Sequence, residues 1–421
     1  IAARKSDAYD PWKDLHDAVW LETPLKKSMT DTLDGRWIVF RTNGDIGRCV
    51  DNRLMNRGVD TIAVEPAAAY EEVVPQRQYR VRPNYALDMG HLLVGLCLDK
   101  KPVSGILYMW GLENGHEDTQ TWSDSLLGFY HLVREISHLQ NRLIPVTLVT
   151  DRAVHALDTD IGIQPEKAAL WGFSRVVSQE YPLLQCGCMD VETHIDSISA
   201  ARIIVEEAAV PISERAYTVA YRGQTRLVQH IVPLSAQESP DGSWVRDGDV
   251  ILLTGGMGYV GLHLCLTIAS VVRNPTFILV GRTMLPGREE WPSLLETLPQ
   301  NEKLRYQIEA IQAIEQRGAA VVTMVGDVTD KEALSDICEL VRRKYRRING
   351  VLNCVMQVYR KSVSELTAGE LYTAVSAKIQ SVMNLDEVTE EDAPRFFVML
   401  SSVSSVFGGA GRSDCAAANM V

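Results

Sequence analysis

The sequence predicts an α/β protein in which two doubly wound parallel sheets follow one another along the chain. Apolar strand-like runs alternate with helix-like segments through most of the 421 residues, and this alternation is typical of parallel sheets with helices on both faces. A chain of this length suits two or three domains better than one core. The polar stretch SAQESPDGSW (235–244) contains Pro and Gly and divides the pattern into two halves.

The first half begins with a linker at 1–30, which we expect to be helical or irregular around DPWKDLHDAVW, and continues as a unit at 31–234. Three apolar runs predict strands: GRWIVF, VSGILYMW and LIPVTLVT. An apolar stripe across SDSLLGFYHLVREISHLQ predicts a helix that Ser123 or Asp124 could cap. Pro165 stands where a second helix would begin. RAYTVAYRGQTRLVQHIVPL predicts a hairpin that turns at Arg222–Gly223.

The second half, at 246–421 after a linker at 235–245, repeats the α/β pattern more clearly. DVILLTGGMGYVGLHLCLTIA predicts a strand, a glycine-rich turn and a helix. Four further strands are predicted in order at TFILVGRT, AAVVTMVGDVTD, INGVLNCVM and RFFVMLSSVSS, with helices between them. The earlier segment WIVFRTNGDIG resembles a worn copy of VILLTGGMGYVG, which suggests a duplication in which the first unit is degenerate.

Charge and composition exclude several classes of function. The net charge of −12 argues against a nucleic-acid or anionic-membrane partner, although it also serves solubility alone. No run approaches the roughly 18 apolar residues of a membrane span. Eight cysteines are scattered as in cytosolic proteins, and Cys186-Gly-Cys188 has no second pair to complete a metal site. We therefore expect a cytoplasmic protein without a metal, and Ile1 indicates a processed or excised piece.

The glycine-rich turn is the first motif with a chemical meaning. Gly256-x-Gly258-x-x-Gly261 follows Thr254-Gly255 at the end of a buried strand and opens a helix. Glycines let the backbone approach a pyrophosphate, which then lies at the helix N-terminus, where amides point outward. A tight strand-to-helix turn without a ligand produces the same pattern, so the motif alone is weak.

The ends of the next strands add three polar residues at the same predicted edge of the sheet. Arg282 ends the second strand, where an acidic residue would favour NAD and a cation favours the 2′-phosphate of NADP. Asp327-Val328 ends the third strand and Asn353 the fourth. Arg282 alone could be a solvated arginine, and Asp327 alone could be a loop cap. Ligands bind beyond the carboxyl ends of the strands in open α/β sheets, which favours the joint interpretation of an NADP site.

The last part of the chain carries candidates for carbonyl reduction. Ser402 follows the fifth strand, position 415 lies on the next helix, and Asn419 lies one turn further on the same face. Lys378 lies on the preceding helix. Reduction by hydride needs a proton donor at the carbonyl oxygen, a hydroxyl that orients this oxygen, and a cation that lowers the donor's pKa.

These motifs together resemble the ketoreductase domain of modular polyketide synthases, which are related to animal fatty acid synthase. The domain has a Rossmann-like fold of the short-chain dehydrogenase/reductase superfamily. The resemblance covers residues from about 30 to 421. It is carried by LLTGGMGYVG, LVGRT, GDVTD, AKIQSVMNLDEVT, LSSVSSVFGG and SDCAAAN, and in the first half by PEKAALWGFSRVVSQEYPLLQCGCMDVE.

The resemblance implies an oxidoreductase within a multidomain megasynthase. The first unit would be structural and bind no cofactor, and the second would use NADP(H) to reduce a β-ketoacyl chain on the phosphopantetheine arm of an acyl carrier protein. Lys378, Ser402, Asn419 and position 415 would form the catalytic set. The expected cofactor-binding residues are Thr254, Gly255, Gly256, Gly258, Tyr259, Val260, Gly261, Arg282, Asp327, Val328 and Asn353.

The sequence departs from this family at position 415, where the proton-donating tyrosine is replaced by cysteine. A thiol is a weak hydrogen-bond donor and is much shorter than a phenol, so we expect a crippled or inactive reductase. Met356 replaces a glycine of many bacterial relatives, and Phe407 stands where one stereochemical class has tryptophan. The family also continues beyond Asn419, which implies a C-terminally truncated catalytic unit. Two alternatives are an active reductase with a substituted donor, and a structural pseudo-ketoreductase or a nucleotide- or carrier-protein-binding module.

Overall fold

The computed structural model describes residues 15–25, 33–97, 102–112, 122–138, 142–192, 194–234 and 244–421. The strands are β1 His16–Glu22, β2 Arg36–Phe40, β3 Asp60–Pro66, β4 Glu71–Val74, β5 Gln78–Val81, β6 Val103–Gly111, β7 Ile144–Asp151, β8 Leu184–Val191, β9 Thr218–Arg222, β10 Thr225–Pro233, β11 Val250–Thr254, β12 Thr276–Gly281, β13 Ala320–Val325, β14 Gly350–Asn353 and β15 Phe396–Met399. The helices are α1 Asp45–Asn56, α2 Ala86–Cys97, α3 Trp122–Ser137, α4 Ala169–Glu180, α5 Ser197–Ala208, α6 Tyr259–Val271, α7 Trp291–Thr297, α8 Lys303–Glu315, α9 Lys331–Tyr345, α10 Ala368–Thr389, α11 Val403–Phe407 and α12 Ser413–Met420.

The first unit is built on a sheet with the order β1-β10-β9-β8-β7-β6-β2-β3-β5-β4. Neighbouring strands from β5 through β2 to β9 run parallel. Their inward side chains are apolar because helices cover the sheet, and the core includes the fully buried side chains of Val39, Leu107 and Val149. The predicted parallel sheet is therefore confirmed for this central part.

The edges of the first sheet depart from the prediction. β1 pairs antiparallel with β10, and β4 pairs antiparallel with β5. The expectation of a helical or irregular segment is wrong for residues 16–20, which lie in β1. Most β1 side chains are exposed, so the strand lacks the apolar alternation that would have predicted it, and backbone pairing with β10 forms it instead. The hairpin predicted at Arg222–Gly223 is confirmed by the antiparallel pairing of β9 and β10.

Helices α3 and α4 of the first unit lie where the sequence predicted helices, but the caps proposed for α3 are wrong. α3 begins at Trp122, one position before Ser123, so the proposed caps Ser123 and Asp124 lie inside the helix. Pro165 opens a short 3₁₀ turn at Pro165–Ala168, which continues directly into α4. Proline fits there because the first helical amides have no intrahelical acceptor.

The second unit contains a fully parallel sheet with the order β13-β12-β11-β14-β15. The chain moves outward from β11 in one direction to β13 and in the other direction to β14 and β15. The carboxyl ends of all these strands lie at one edge, and the order reverses between β11 and β14, where open α/β sheets bind ligands. The second predicted parallel sheet is thereby confirmed.

Two segments of the second half of the sequence pack with the first unit. The first unit comprises the described residues up to Leu234 together with Tyr359–Tyr372 and Val403–Val421. The second unit comprises the described residues from Trp244 to Val358 together with Thr373–Ser402. Helices α11 and α12 therefore belong to the first unit. The boundary at 235–245 stays a prediction, because residues 235–243 lie outside the described ranges. In the described part of the chain, no helix is long and apolar enough to cross a membrane.

Helices α4 and α12 touch through their backbones at one glycine. A Cβ atom built on Gly172 would lie 2.2 Å from the carbonyl oxygen of Ala416 and 2.9 Å from the Cα of Ala417. Both atoms belong to the backbone, so neither can turn aside as a flexible side chain would. The absence of a side chain at Gly172 therefore sets how closely α12 approaches α4.

Gly172→Ala is expected to lower the free energy of unfolding by about 1–3 kcal/mol or more, because overpacking must separate the two helices. Urea unfolding followed by circular dichroism measures the change. Gly95→Ala is the matched control, since a Cβ atom added to this glycine of α2 would meet no atom of the described residues within 4 Å and alanine favours a helix by about 1 kcal/mol. Equal effects of the two substitutions would contradict the close contact.

Candidate functional site

The backbone of the turn between β11 and α6 is closely packed around Gly255, Gly256 and Gly261. Gly255 has a φ of +66°, and a Cβ on it would lie 2.8 Å from the carbonyl carbon of Cys354. A Cβ on Gly256 would meet the Cβ of Leu253 at 2.9 Å, and one on Gly261 would meet the Cα of Gly256 at 2.7 Å. The glycines thus allow the strand, the turn and the helix to pack without side chains between them.

Helix α6 begins beside this turn without an acidic residue or a side-chain cap. Gly258 is its N-cap residue, no side-chain cap is found among the described residues, and no Asp or Glu lies in the first turn. Tyr259 and Val260 are more than half exposed. The positive end of the helix dipole is therefore open to an anion, which is the arrangement that a pyrophosphate requires.

The corresponding turn of the first unit, between β2 and α1, is different. Asp45 is the first residue of α1 and pairs with Arg48 at 2.5 Å. Arg41 at the end of β2 pairs with Asp51 and with Glu65. The charged side chains around this turn thus form ion pairs with one another. The carboxylate of Asp45 at the start of the helix would disfavour a phosphate there.

Arg282 and Asp327 lie at the carboxyl ends of neighbouring strands, as the sequence predicted. Arg282 is exposed directly after β12, and Asp327 is exposed shortly after β13. The Oδ1 atom of Asp327 accepts hydrogen bonds from the amide (2.9 Å) and the hydroxyl (2.7 Å) of Thr329. These bonds, with a smaller contribution from Arg282, hold the pKa of Asp327 below its usual value. Val328 is buried beside it.

Asn353 connects the glycine-rich turn to helix α10. Its buried Oδ1 accepts a hydrogen bond from the hydroxyl of Thr254 at 3.2 Å, and its Nδ2 donates to the hydroxyl of Ser381 at 3.0 Å. The Ser381 hydroxyl in turn donates to the carbonyl of Lys378 at 2.8 Å. Sequence reasoning missed Ser381, although its position one helical turn after Lys378 was the available signal.

Lys378 is buried and faces the end of β15. Its Nζ donates to the carbonyl oxygen of Leu400 at 2.6 Å. Ser402 follows shortly after and is half-buried. Cys354, after β14, is partly buried, and burial raises the pKa of its thiol to about 11, with Lys378 acting in the opposite direction. Lys378, Asn353, Thr254 and Ser402 are thus all in the second unit, at the carboxyl edge of its sheet.

Cys415 and Asn419 lie on α12, in the first unit, and contact each other. The Nδ2 of Asn419 donates to the carbonyl oxygen of Cys415 at 2.9 Å and lies 3.6 Å from its Sγ. Cys415 is only 3% exposed. The predicted placement of the two residues on one helical face is confirmed. The short helix α11 between Ser402 and α12 was not predicted.

Comparisons with known proteins find similar sequences among polyketide synthases. The sequence model of the KR domain family matches residues 249–421. Polyketide synthase PksL of Bacillus subtilis strain 168 is 25% identical over 374 residues, which are 87% of this chain and 8% of that protein. The 6-methylsalicylic acid synthase of Aspergillus terreus strain NIH 2624 is 25% identical over 349 residues, 81% of this chain and 19% of that protein. The chain thus spans less than a fifth of the length of these relatives.

Solved ketoreductase structures share the fold over almost the whole chain. An N-terminal ketoreductase from the macrolactin assembly line has a TM-score of 0.77 at 18% identity, covering 96% of this chain and 78% of that one. A structure of an A1-type ketoreductase has a TM-score of 0.73 at 20% identity, covering 96% and 77%. Residues 249–421 thus match the KR domain family, and almost the whole chain shares the fold of solved ketoreductases.

Proposed function

We propose that this chain is the ketoreductase domain of a polyketide synthase, that it binds NADPH, and that Cys415 has largely disabled its reduction of a β-ketoacyl thioester. The observation that carries the proposal is the network from Thr254 through Asn353 and Ser381 to Lys378, which joins a well-formed nucleotide turn to the lysine of the catalytic set.

The residues at the carboxyl edge of the second sheet fit NADPH. The open start of α6 suits the pyrophosphate, Arg282 suits the 2′-phosphate, and Asp327 and Val328 would border the adenine. When bound there, NADPH would supply a hydride for the carbonyl carbon. The chain's own residues would orient the carbonyl oxygen through Ser402, and Lys378 would stabilise the negative charge that develops on it.

The step that Cys415 weakens is the delivery of a proton to that oxygen. In the family this proton comes from a tyrosine hydroxyl at the same position. The thiol of Cys415 is buried, is a weak donor and ends one atom beyond Cβ. Loss of a general acid typically slows a reaction by about 10²- to 10⁴-fold, so we expect a domain that binds its nucleotide and reduces slowly.

The substrate and the partners follow from the family. We propose that the β-ketoacyl chain arrives on the phosphopantetheine arm of an acyl carrier protein, that neighbouring synthase domains lie on the same polypeptide, and that the protein acts in the cytoplasm. The relatives above are synthases, and one similar structure comes from a keto acid-selecting NRPS module. A second candidate function is that of a structural pseudo-ketoreductase, and the observation that favours it is Cys415.

Titration with NADPH, followed by the change in nucleotide fluorescence, separates these two functions. We expect saturable binding with a micromolar Kd and much weaker binding of NADH, because the cation of Arg282 suits the additional phosphate. A folded full-length protein that binds neither nucleotide would contradict the proposal and favour the structural role.

A further inference from the structure

The loop that precedes α12 is held by side chains of α4. Arg175, Gln179 and Glu180 lie in the last two turns of α4, and they contact the backbone of residues 406–411. The hydrogen bonds run from Arg175 Nη1 to the carbonyl of Val406 (2.5 Å), from Gln179 Nε2 to the carbonyl of Phe407 (2.7 Å), from the amide of Gly409 to Gln179 Oε1 (2.6 Å), and from the amide of Gly411 to Glu180 Oε1 (2.7 Å).

The backbone of this loop has a conformation that is found in neither helices nor strands. Gly408, Gly409 and Gly411 have φ values of +73°, +135° and +72°, which side-chain-bearing residues rarely adopt. The amides and carbonyls of such a loop need partners outside it. The α4 side chains supply these partners, so the path of the chain from Phe407 to the start of α12 depends on them.

Glu180 also binds a second segment. Its Oε2 accepts a hydrogen bond from the amide of Val363 at 2.7 Å, while its Oε1 holds Gly411. Asp414, fully buried on α12, accepts hydrogen bonds from the amide of Tyr359 at 2.5 Å and from that of Cys415 at 2.8 Å. Two carboxylates therefore fasten residues 359–363 to the start of α12.

The position of Glu180 is unfavourable for its own helix. It is the last residue of α4, where the negative end of the helix dipole disfavours an anion by about 0.3–1 kcal/mol. Charge-assisted hydrogen bonds to two amides offset this cost, at roughly twice the strength of neutral ones. The carboxylate is thus suited to holding the two loops rather than to stabilising α4.

We infer that Gln179 and Glu180 are positioning residues for the reduction, which they serve by fixing the loop at 406–411 and the direction in which α12 presents position 415 and Asn419. This inference rests on the proposed function. Displacement of a reacting group by about 1 Å can cost 10²-fold in rate.

The test uses Glu180→Gln in the full-length protein that also carries Cys415→Tyr, so that turnover is measurable. Glutamine keeps one good acceptor and loses the charge, so one of the two amides loses its partner. We expect kcat to fall at least about tenfold while the Kd for NADPH stays unchanged, because the nucleotide residues lie in the second unit. Amide hydrogen exchange should become faster at Gly411 or Val363. Glu214→Gln makes the same chemical change at an exposed carboxylate of the first unit and should change neither quantity.

Each outcome decides the inference. An unchanged kcat contradicts the inference even if amide hydrogen exchange becomes faster, because a purely structural role of Glu180 would change only the exchange rate. A fall in kcat together with an equal loss of NADPH affinity also overturns it, because it would indicate general damage. The protein with Cys415→Tyr alone is measured before any α4 variant is made. If it neither binds NADPH nor reduces the thioester, the proposed function is contradicted, and this result is distinct from a failure of the inference.

Discussion

Replacing Cys415 with tyrosine is expected to raise the turnover of a β-ketoacyl thioester by about 10²- to 10⁴-fold in the full-length protein. The substitution restores a hydroxyl donor at the position where the proposed reaction delivers its proton. Lys378 and Ser402 are retained at the carboxyl edge of the second sheet, and Asn419 still lies beside position 415. Initial rates of NADPH oxidation with a β-ketoacyl thioester measure the change.

Cys415→Phe is the control for this experiment, because phenylalanine adds the same ring without the hydroxyl. Cys415 is buried, so both variants must accommodate a ring, and thermal unfolding shows whether they remain folded. A gain in turnover with tyrosine and none with phenylalanine assigns the defect to the missing proton donor. Equal turnover in both folded variants would place the damage elsewhere, with the half-exposed Met356 as the first residue to replace.

Replacing Arg282 with alanine is expected to weaken NADPH binding by about 10- to 100-fold, because hydrogen bonds to charged groups contribute roughly 1.5–3 kcal/mol. NADH lacks the 2′-phosphate, so its affinity should change little. Fluorescence titrations with both nucleotides measure the effect. The affinity for NADPH should also fall as salt is added, since Arg282 is exposed.

Arg273→Ala provides the control for Arg282. Arg273 is also an exposed arginine of the second unit, but it precedes β12, at the amino end of the strand, where it pairs with Asp247. Its removal should leave both nucleotide affinities unchanged. If Arg282→Ala weakened NADPH and NADH equally, the arginine would act on the turn as a whole and not on a 2′-phosphate.

The central strands of the second sheet, β12, β11 and β14, could be predicted because they are buried apolar runs. β11 and β12 are continuous apolar runs that follow Asp249 and Pro275, and their registers place the polar residues that follow at one edge. The candidate nucleotide residues were predictable for the same reason: they follow directly after strands, where ligands of such sheets bind.

Features that depend on contacts between distant parts of the chain could not be predicted. β1 carries mostly exposed side chains and forms through its pairing with β10. Glu180 and Gln179 are ordinary polar residues at the end of a helix, and nothing in their spacing indicates that they bind loops more than 180 residues away. The close packing of α12 on α4 requires a glycine at position 172, and the reason for it appears only once Ala416 lies against that position.

The packing of α12 on α4 has a consequence for chimeric proteins that combine halves of two such chains. A chimera that takes residues 246–421 from this protein and the preceding half from another would cut the chain at a polar, permissive stretch. It would nevertheless set the segments Tyr359–Tyr372 and Val403–Val421 against a foreign α4. Such a chimera would also need a glycine at position 172 and a carboxylate at position 180, so the part of the chain that can be exchanged as one piece includes residues of both halves.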